Sequence, residues 1–136
     1  MLYLISMKKV KIKYESSIFQ EEHVDRFNEE TFGEIFINDD VIELSCSLNS
    51  SEGKEQTIFT FKEDFISIKR SSYTLKFKKN ELLECENKTQ YGSIIFTTKL
   101  KKYLKLGNQF VVNYELLIGK DSIGSYVLKI SYEEMN

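Results

Sequence analysis

Apolar and polar side chains alternate with a period of two almost from one end of this chain to the other, and that period belongs to extended strands, whose successive side chains point to opposite faces. Val10, Ile12 and Tyr14 alternate with Lys9, Lys11, Lys13 and Glu15. Ile42, Leu44, Cys46 and Leu48 interleave with Glu43, Ser45 and Ser47, and Tyr73, Leu75 and Phe77 with Thr74, Lys76 and Lys78. Ile94, Phe96, Thr98 and Leu100 keep the rule. The last two runs are the strongest: Phe110, Val112, Tyr114, Leu116 and Ile118, then Tyr126, Leu128, Ile130 and Tyr132. Each run gives a strand with one dry face and one wet face, as in antiparallel sheets.

Between the runs lie short polar breaks suited to tight turns: Asn38-Asp39-Asp40, Asn49 to Gly53, Lys62-Glu63-Asp64, Arg70-Ser71-Ser72, Gly107-Asn108 and Gly119-Lys120-Asp121. Two stretches compete as helix, the charged Gln20 to Thr31 and the shorter Asn80 to Glu86, but neither carries an apolar stripe at helical spacing. One-sided strands in sequence order must close on themselves or stack, since an open sheet of that size leaves edges and apolar surface in water. The predicted fold is therefore all-β: a single closed or nearly closed antiparallel up-and-down barrel of about eight to ten strands.

The chain has 136 residues and no proline, and no Gly/Ser-rich linker divides it. One domain over residues 7–136 is expected, with residues 1–6 as an upstream extension without structural role, because Met7-Lys8-Lys9 reads as a natural start. At 41% hydrophobic and 29% charged residues the composition is that of an ordinary globular domain that needs no disulfide or metal to fold. The apolar stretch Met1 to Ile5 is too short to span a bilayer and lacks the flanks of a signal peptide. Cys46 and Cys85 suit a reduced compartment, so a cytoplasmic location and no membrane association are expected.

The second half of the chain resembles a known family. Phe65-Ile66-Ser67-Ile68-Lys69-Arg70 matches a strand ending in arginine, Thr89-Gln90-Tyr91-Gly92 a Thr-x-aromatic-Gly turn, and Thr97-Thr98 and Asn113-Tyr114-Glu115-Leu116 follow in the same order. On these residues the chain resembles the YwiB-like family of bacterial proteins, which implies a calycin-type, lipocalin-like β-barrel and carries no established activity, substrate or cofactor. Three positions depart from the pattern: Ser45 and Ser47 stand where a tyrosine and a glutamate are expected, and Ser71 where glycine follows the arginine. The Gly-x-Trp signature of true lipocalins is missing, as the chain has no tryptophan.

Catalytic motifs are absent from the sequence: it has no Gly-x-Ser-x-Gly elbow, His-Glu-x-x-His helix, phosphate-cradling glycine loop or Cys-x-x-Cys pair. The only histidine, His23, shares a strand face with Glu21 and Asp25, a set that reads as solvated surface and not as a metal site. Glu43 and Glu115, the acids nearest the dry residues, alternate with them and so face solvent. Cys46 reads as a small buried hydrophobe and Cys85 as the more exposed thiol.

Arg70 continues the dry phase of Ile66 and Ile68, which points it inward near a barrel mouth. There it has two readings: an anchor for an acidic headgroup whose tail the apolar lining accepts, or a strand-end arginine that reaches water or is tied to a glutamate of a neighbouring strand. Tyr91 and Tyr114 are candidate polar handles in the same cavity.

Charge supplies the competing reading. From Lys69 to Lys105 there are ten basic and three acidic residues, interleaved with Tyr73, Phe77, Tyr91, Phe96 and Tyr103, a pattern that fits a surface for RNA or a protein partner. The whole chain, however, carries a net charge of −2, and only Arg26 and Arg70 are arginines, the preferred readers of phosphate. The sequence thus favours a non-enzymatic barrel that binds a small, apolar or amphipathic ligand through Arg70, Tyr91 and Tyr114, with no cofactor or metal. The alternative is surface recognition through Lys69–Lys105.

Overall fold

The structure is a computed structural model and describes residues 6–50 and 53–135. Ten strands follow one another: β1 (Ser6–Gln20), β2 (His23–Asn38), β3 (Val41–Ser50), β4 (Gly53–Phe61), β5 (Phe65–Arg70), β6 (Thr74–Lys78), β7 (Leu82–Thr89), β8 (Gly92–Leu106), β9 (Gln109–Ile118) and β10 (Asp121–Glu134). They form one antiparallel sheet in the order β6-β5-β4-β3-β2-β1-β10-β9-β8-β7, which curls into a nearly closed barrel. Every hairpin joins sequence neighbours, and β1 pairs with β10 from Val10↔Glu134 to Phe19↔Ser125. Asp39-Asp40, Lys62-Glu63-Asp64, Ser71-Ser72, Gly107-Asn108 and Gly119-Lys120 lie between strands as expected, and the middle of the Asn49 to Gly53 turn lies outside the described residues. Both helix candidates are extended apart from their turn residues, Glu21-Glu22 and Asn80. Ser6 already pairs with Ile37, so β1 begins inside the stretch set aside as an extension; residues 1–5 lie outside the described residues.

The barrel closes between β6 and β7, where a single bridge joins Lys78 and Glu81. Side chains take over the rest of the seam. Asn87 Oδ1 accepts from the Thr74 N–H (2.9 Å), Cys85 Sγ lies 3.3 Å from the Lys76 N, and Thr98 Oγ1 donates to the Lys76 carbonyl (2.6 Å). The inward side chains of β7 and β8 thereby satisfy backbone groups that an open edge would leave bare. Cys85, expected to be the more exposed thiol, is buried because it belongs to this seam.

The wall is looser on the other side. β2 pairs with β3 only over Gly33–Asn38 and then leaves it, continuing with β1 alone. At the branch point Gly33 has no room for a side chain: an added Cβ would lie 2.2 Å from the Ser45 carbonyl oxygen and 2.9 Å from Ile12 Cδ1. Over His23–Phe32 β2 has β1 as its one neighbour and stays largely exposed on both faces, which explains why Gln20 to Thr31 carries no apolar stripe.

Phe59, Phe61, Phe77 and Phe110 fill the middle of the barrel, together with Ile12, Ile35, Leu44, Val112 and Ile130, all of them buried. Phe61 and Phe110 stack with ring centroids 3.9 Å apart. At about 1.5–3 kcal/mol for each large side chain, this layer is the main source of stability. It also leaves the barrel filled at its waist, with open space at the two ends.

Candidate functional site

The turns after β1, β3, β5, β7 and β9 gather at one end of the barrel, and those after β2, β4, β6 and β8 at the other. The first, the Arg70 end, holds a cavity of about 530 Å³ lined by Tyr14, Tyr73, Tyr114, Tyr126, Arg70 and the lip residue Phe27, among others. It lies where β2 has left β3. Glu29 spans that gap, its Oε1 accepting the Asn49 N–H at 2.9 Å.

Arg70 points inward, as its phase predicts, and its side chain is 12% exposed. It is also tied to a glutamate of the neighbouring strand. Glu55, on β4 and 7% exposed, places Oε2 3.4 Å from Arg70 Nη2. The other carboxylate oxygen, Oε1, accepts from Ser71 Oγ (2.9 Å), the Ser72 N–H (2.5 Å) and Ser72 Oγ (2.7 Å). Burial pushes the Glu55 carboxyl up, but the bonds from Ser72 and Ser71 and the Arg70 charge outweigh it and hold the carboxyl below its ordinary value. Ser71, one of the departures from the family pattern, is therefore used here as a carboxylate ligand.

The guanidinium is not saturated by this pairing. Nη2 also donates to the Asn49 carbonyl at 3.3 Å and the group lies over the Tyr73 ring, while Nε is buried without a hydrogen-bond partner. Burial works against its charge, and contact with Tyr73 and the nearby Glu55 and Tyr14 overcome that, leaving its pKa above the ordinary arginine value. A buried N–H with no acceptor costs free energy until something entering the site supplies one.

Burial raises the hydroxyl pKa of Tyr14, Tyr114 and Tyr126, and proximity to Tyr73 raises each further, so these groups act as neutral donors around one space. Tyr114 and Tyr126 stack at 4.9 Å. Behind them burial, with the Glu29 charge adding to it, pushes the Cys46 thiol up to about 12.

Of the three residues singled out from the sequence, Arg70 and Tyr114 line this cavity and Tyr91 does not. Tyr91 sits at the β7–β8 turn, 90% exposed, because a residue at a hairpin tip has no sheet face to bury against. Glu55, Tyr14, Tyr73 and Tyr126 were missed as site residues. Glu55 had a signal, since it lies in phase with the dry residues Thr57, Phe59 and Phe61.

The remaining candidates stand apart. His23 Nε2 lies 2.9 Å from Asp25 Oδ1 on exposed surface, and among the described residues no group of three or more acidic, Cys or His side chains is placed to hold a metal ion. In the Lys69–Lys105 region, Lys78 pairs with Glu81 (3.0 Å) and Lys101 with Glu115 (3.5 Å), while Lys69 and Lys76 share an outer groove with Glu84 and Glu86. The run that is basic in sequence is mixed in space. No described helix is long and apolar enough to cross a membrane.

A family model described as a domain of unknown function, DUF1934, matches residues 10–130. The crystal structure of the ywiB protein from Bacillus subtilis is similar with a TM-score of 0.83 at 17% sequence identity, over 97% of this chain and 96% of that one. At that identity the likeness concerns the fold. No curated protein matches the chain.

Proposed function

This chain belongs to the DUF1934 family, and from that premise we propose that it is a binding barrel whose Arg70 end takes a small, partly apolar ligand with an acidic or strongly accepting group. One observation carries the reading: a cavity of ligand size whose lining joins an incompletely satisfied, buried guanidinium to four tyrosine rings. The accepting group sits on Arg70 and the tyrosine hydroxyls, and the apolar part lies between the rings and Phe27. The phenylalanine layer closes the way inward, so the ligand stays within this end of the barrel.

Glu55 sets the charge the ligand can bring. It already balances Arg70, so a monoanion or a neutral carbonyl compound suits the site better than a phosphate dianion. Recognition of RNA or a protein through Lys69–Lys105 is less well supported, because acidic side chains interrupt that surface.

Native mass spectrometry of freshly purified protein, set against its denatured mass, tests the reading. A passenger of small-molecule mass that is lost on denaturation, and reduced in an Arg70→Gln chain, is expected. A ligand-free chain whose Tyr14, Tyr73, Tyr114 and Tyr126 resonances stay unmoved by a set of small aryl and alkyl carboxylates would overturn it.

A further inference from the structure

We propose that the opposite end of the barrel is a second binding site, one that takes a small organic cation of the quaternary ammonium type. The cavity there measures about 550 Å³, and its lining includes Phe61, Phe110, Tyr103, Tyr132 and the acidic Asp39, Asp40 and Glu63. Tyr103 lies 6.2 Å from Phe61 at 13°, Phe61 lies 3.9 Å from Phe110 at 8°, and Phe110 lies 6.4 Å from Tyr132 at 26°. Phe61 and Phe110 are buried and stacked on each other as the floor, so the partly exposed Tyr103 and Tyr132 supply the aromatic surface that a ligand reaches. Aromatic faces attract diffuse cations, most strongly where water is partly excluded.

The rim adds charge of the matching sign. Asp39, Asp40 and Glu63 come from the turns after β2 and β4. Two lysines also line the cavity, Lys62 and Lys105. The Lys62 ammonium also lies 5.5 Å from the centre of the Phe65 ring. Three carboxylates thus face two lysines, which leaves the rim with one negative charge in excess. A hard metal ion needs several converging oxygens at short range, whereas a tetraalkylammonium needs aromatic walls and a net negative field, and this end offers the latter.

Tetramethylammonium is the probe, followed through the ring resonances of Tyr103 and Tyr132 by NMR, with tert-butanol as a neutral probe of similar bulk. Saturable shifts with the cation and none with the alcohol are expected. Tyr103→Leu should weaken binding about tenfold, and Tyr103→Phe, which keeps the ring, should leave it largely intact. Asp39→Asn combined with Asp40→Asn should weaken it while the chain stays folded, because asparagine tolerates the left-handed backbone at position 39 (φ 53°). Equal response to tert-butanol, no saturable shift, or indifference to the paired Asp variants would each overturn the proposal.

Discussion

The two ends of this barrel share a floor of phenylalanine and differ in how they hold charge. At the Arg70 end the charges are buried and matched: Arg70 against Glu55, with Ser71 and Ser72 completing the carboxylate. At the Phe61 end they stand on exposed turns around aromatic side chains. Buried charge is tied into the stability of the fold, whereas rim charge is free to serve recognition with little structural consequence. One end is thus expected to be fragile and selective, the other tolerant and electrostatic.

The largest difference should appear on removing one acid from each end. Glu55→Ala leaves the buried guanidinium without its counter-charge and is expected to cost about 3–5 kcal/mol in urea unfolding. Glu63→Ala at the other end should stay within about 0.5 kcal/mol. Comparable losses from both would erase the distinction between the ends.

Gly33→Ala comes next. It forces a methyl group against the Ser45 carbonyl where β2 leaves β3, and a destabilisation of about 1–3 kcal/mol is expected. Amide exchange should loosen first in Gly33–Asn38, and an unchanged β2–β3 ladder would mean that the branch is not set by this contact.

A smaller effect is read in acid. The Glu55 carboxyl has a lower pKa folded than unfolded, so its contribution is complete above the ordinary glutamate value of about 4.3 and is lost as the pH falls through the folded value. A Glu55→Gln chain should lose this part of the acid limb in a plot of stability against pH. A limb of unchanged slope would assign the acid sensitivity to other carboxylates. Least of all, Tyr91→Ala should shift stability by no more than about 0.5 kcal/mol and leave both ends unaffected.

Most of the fold was legible in the sequence because a strand buried on one face writes its burial into alternate residues. The family resemblance drawn from Phe65–Arg70, Thr89–Gly92 and Asn113–Leu116 agrees with the family match and with the shared barrel. The inward turn of Arg70 was legible for the same reason, but its partner was not. Phase says which face a side chain takes and not which strand lies beside it, so Glu55 and Arg70 become neighbours only once Thr57↔Arg70 pairing is known. Asn87 and Cys85 were hidden differently: they point inward to serve the seam, and a buried asparagine breaks the apolar pattern that marks an inward face. Tyr91 failed because a motif locates a turn without saying that its aromatic side chain packs on anything.

The place of the seam bears on how the chain reaches this state. The first and last strands lie side by side in the middle of the sheet, so forming the native ladder means bringing Val10 to Glu134 across nearly the whole chain. Such non-local pairing raises contact order, and folding slows with it. A circular permutant opened at the β6–β7 turn, with the old ends joined by a short linker, would turn every ladder into a local hairpin and leave only the side-chain seam to close from afar. It should fold faster than the natural order while reaching the same barrel.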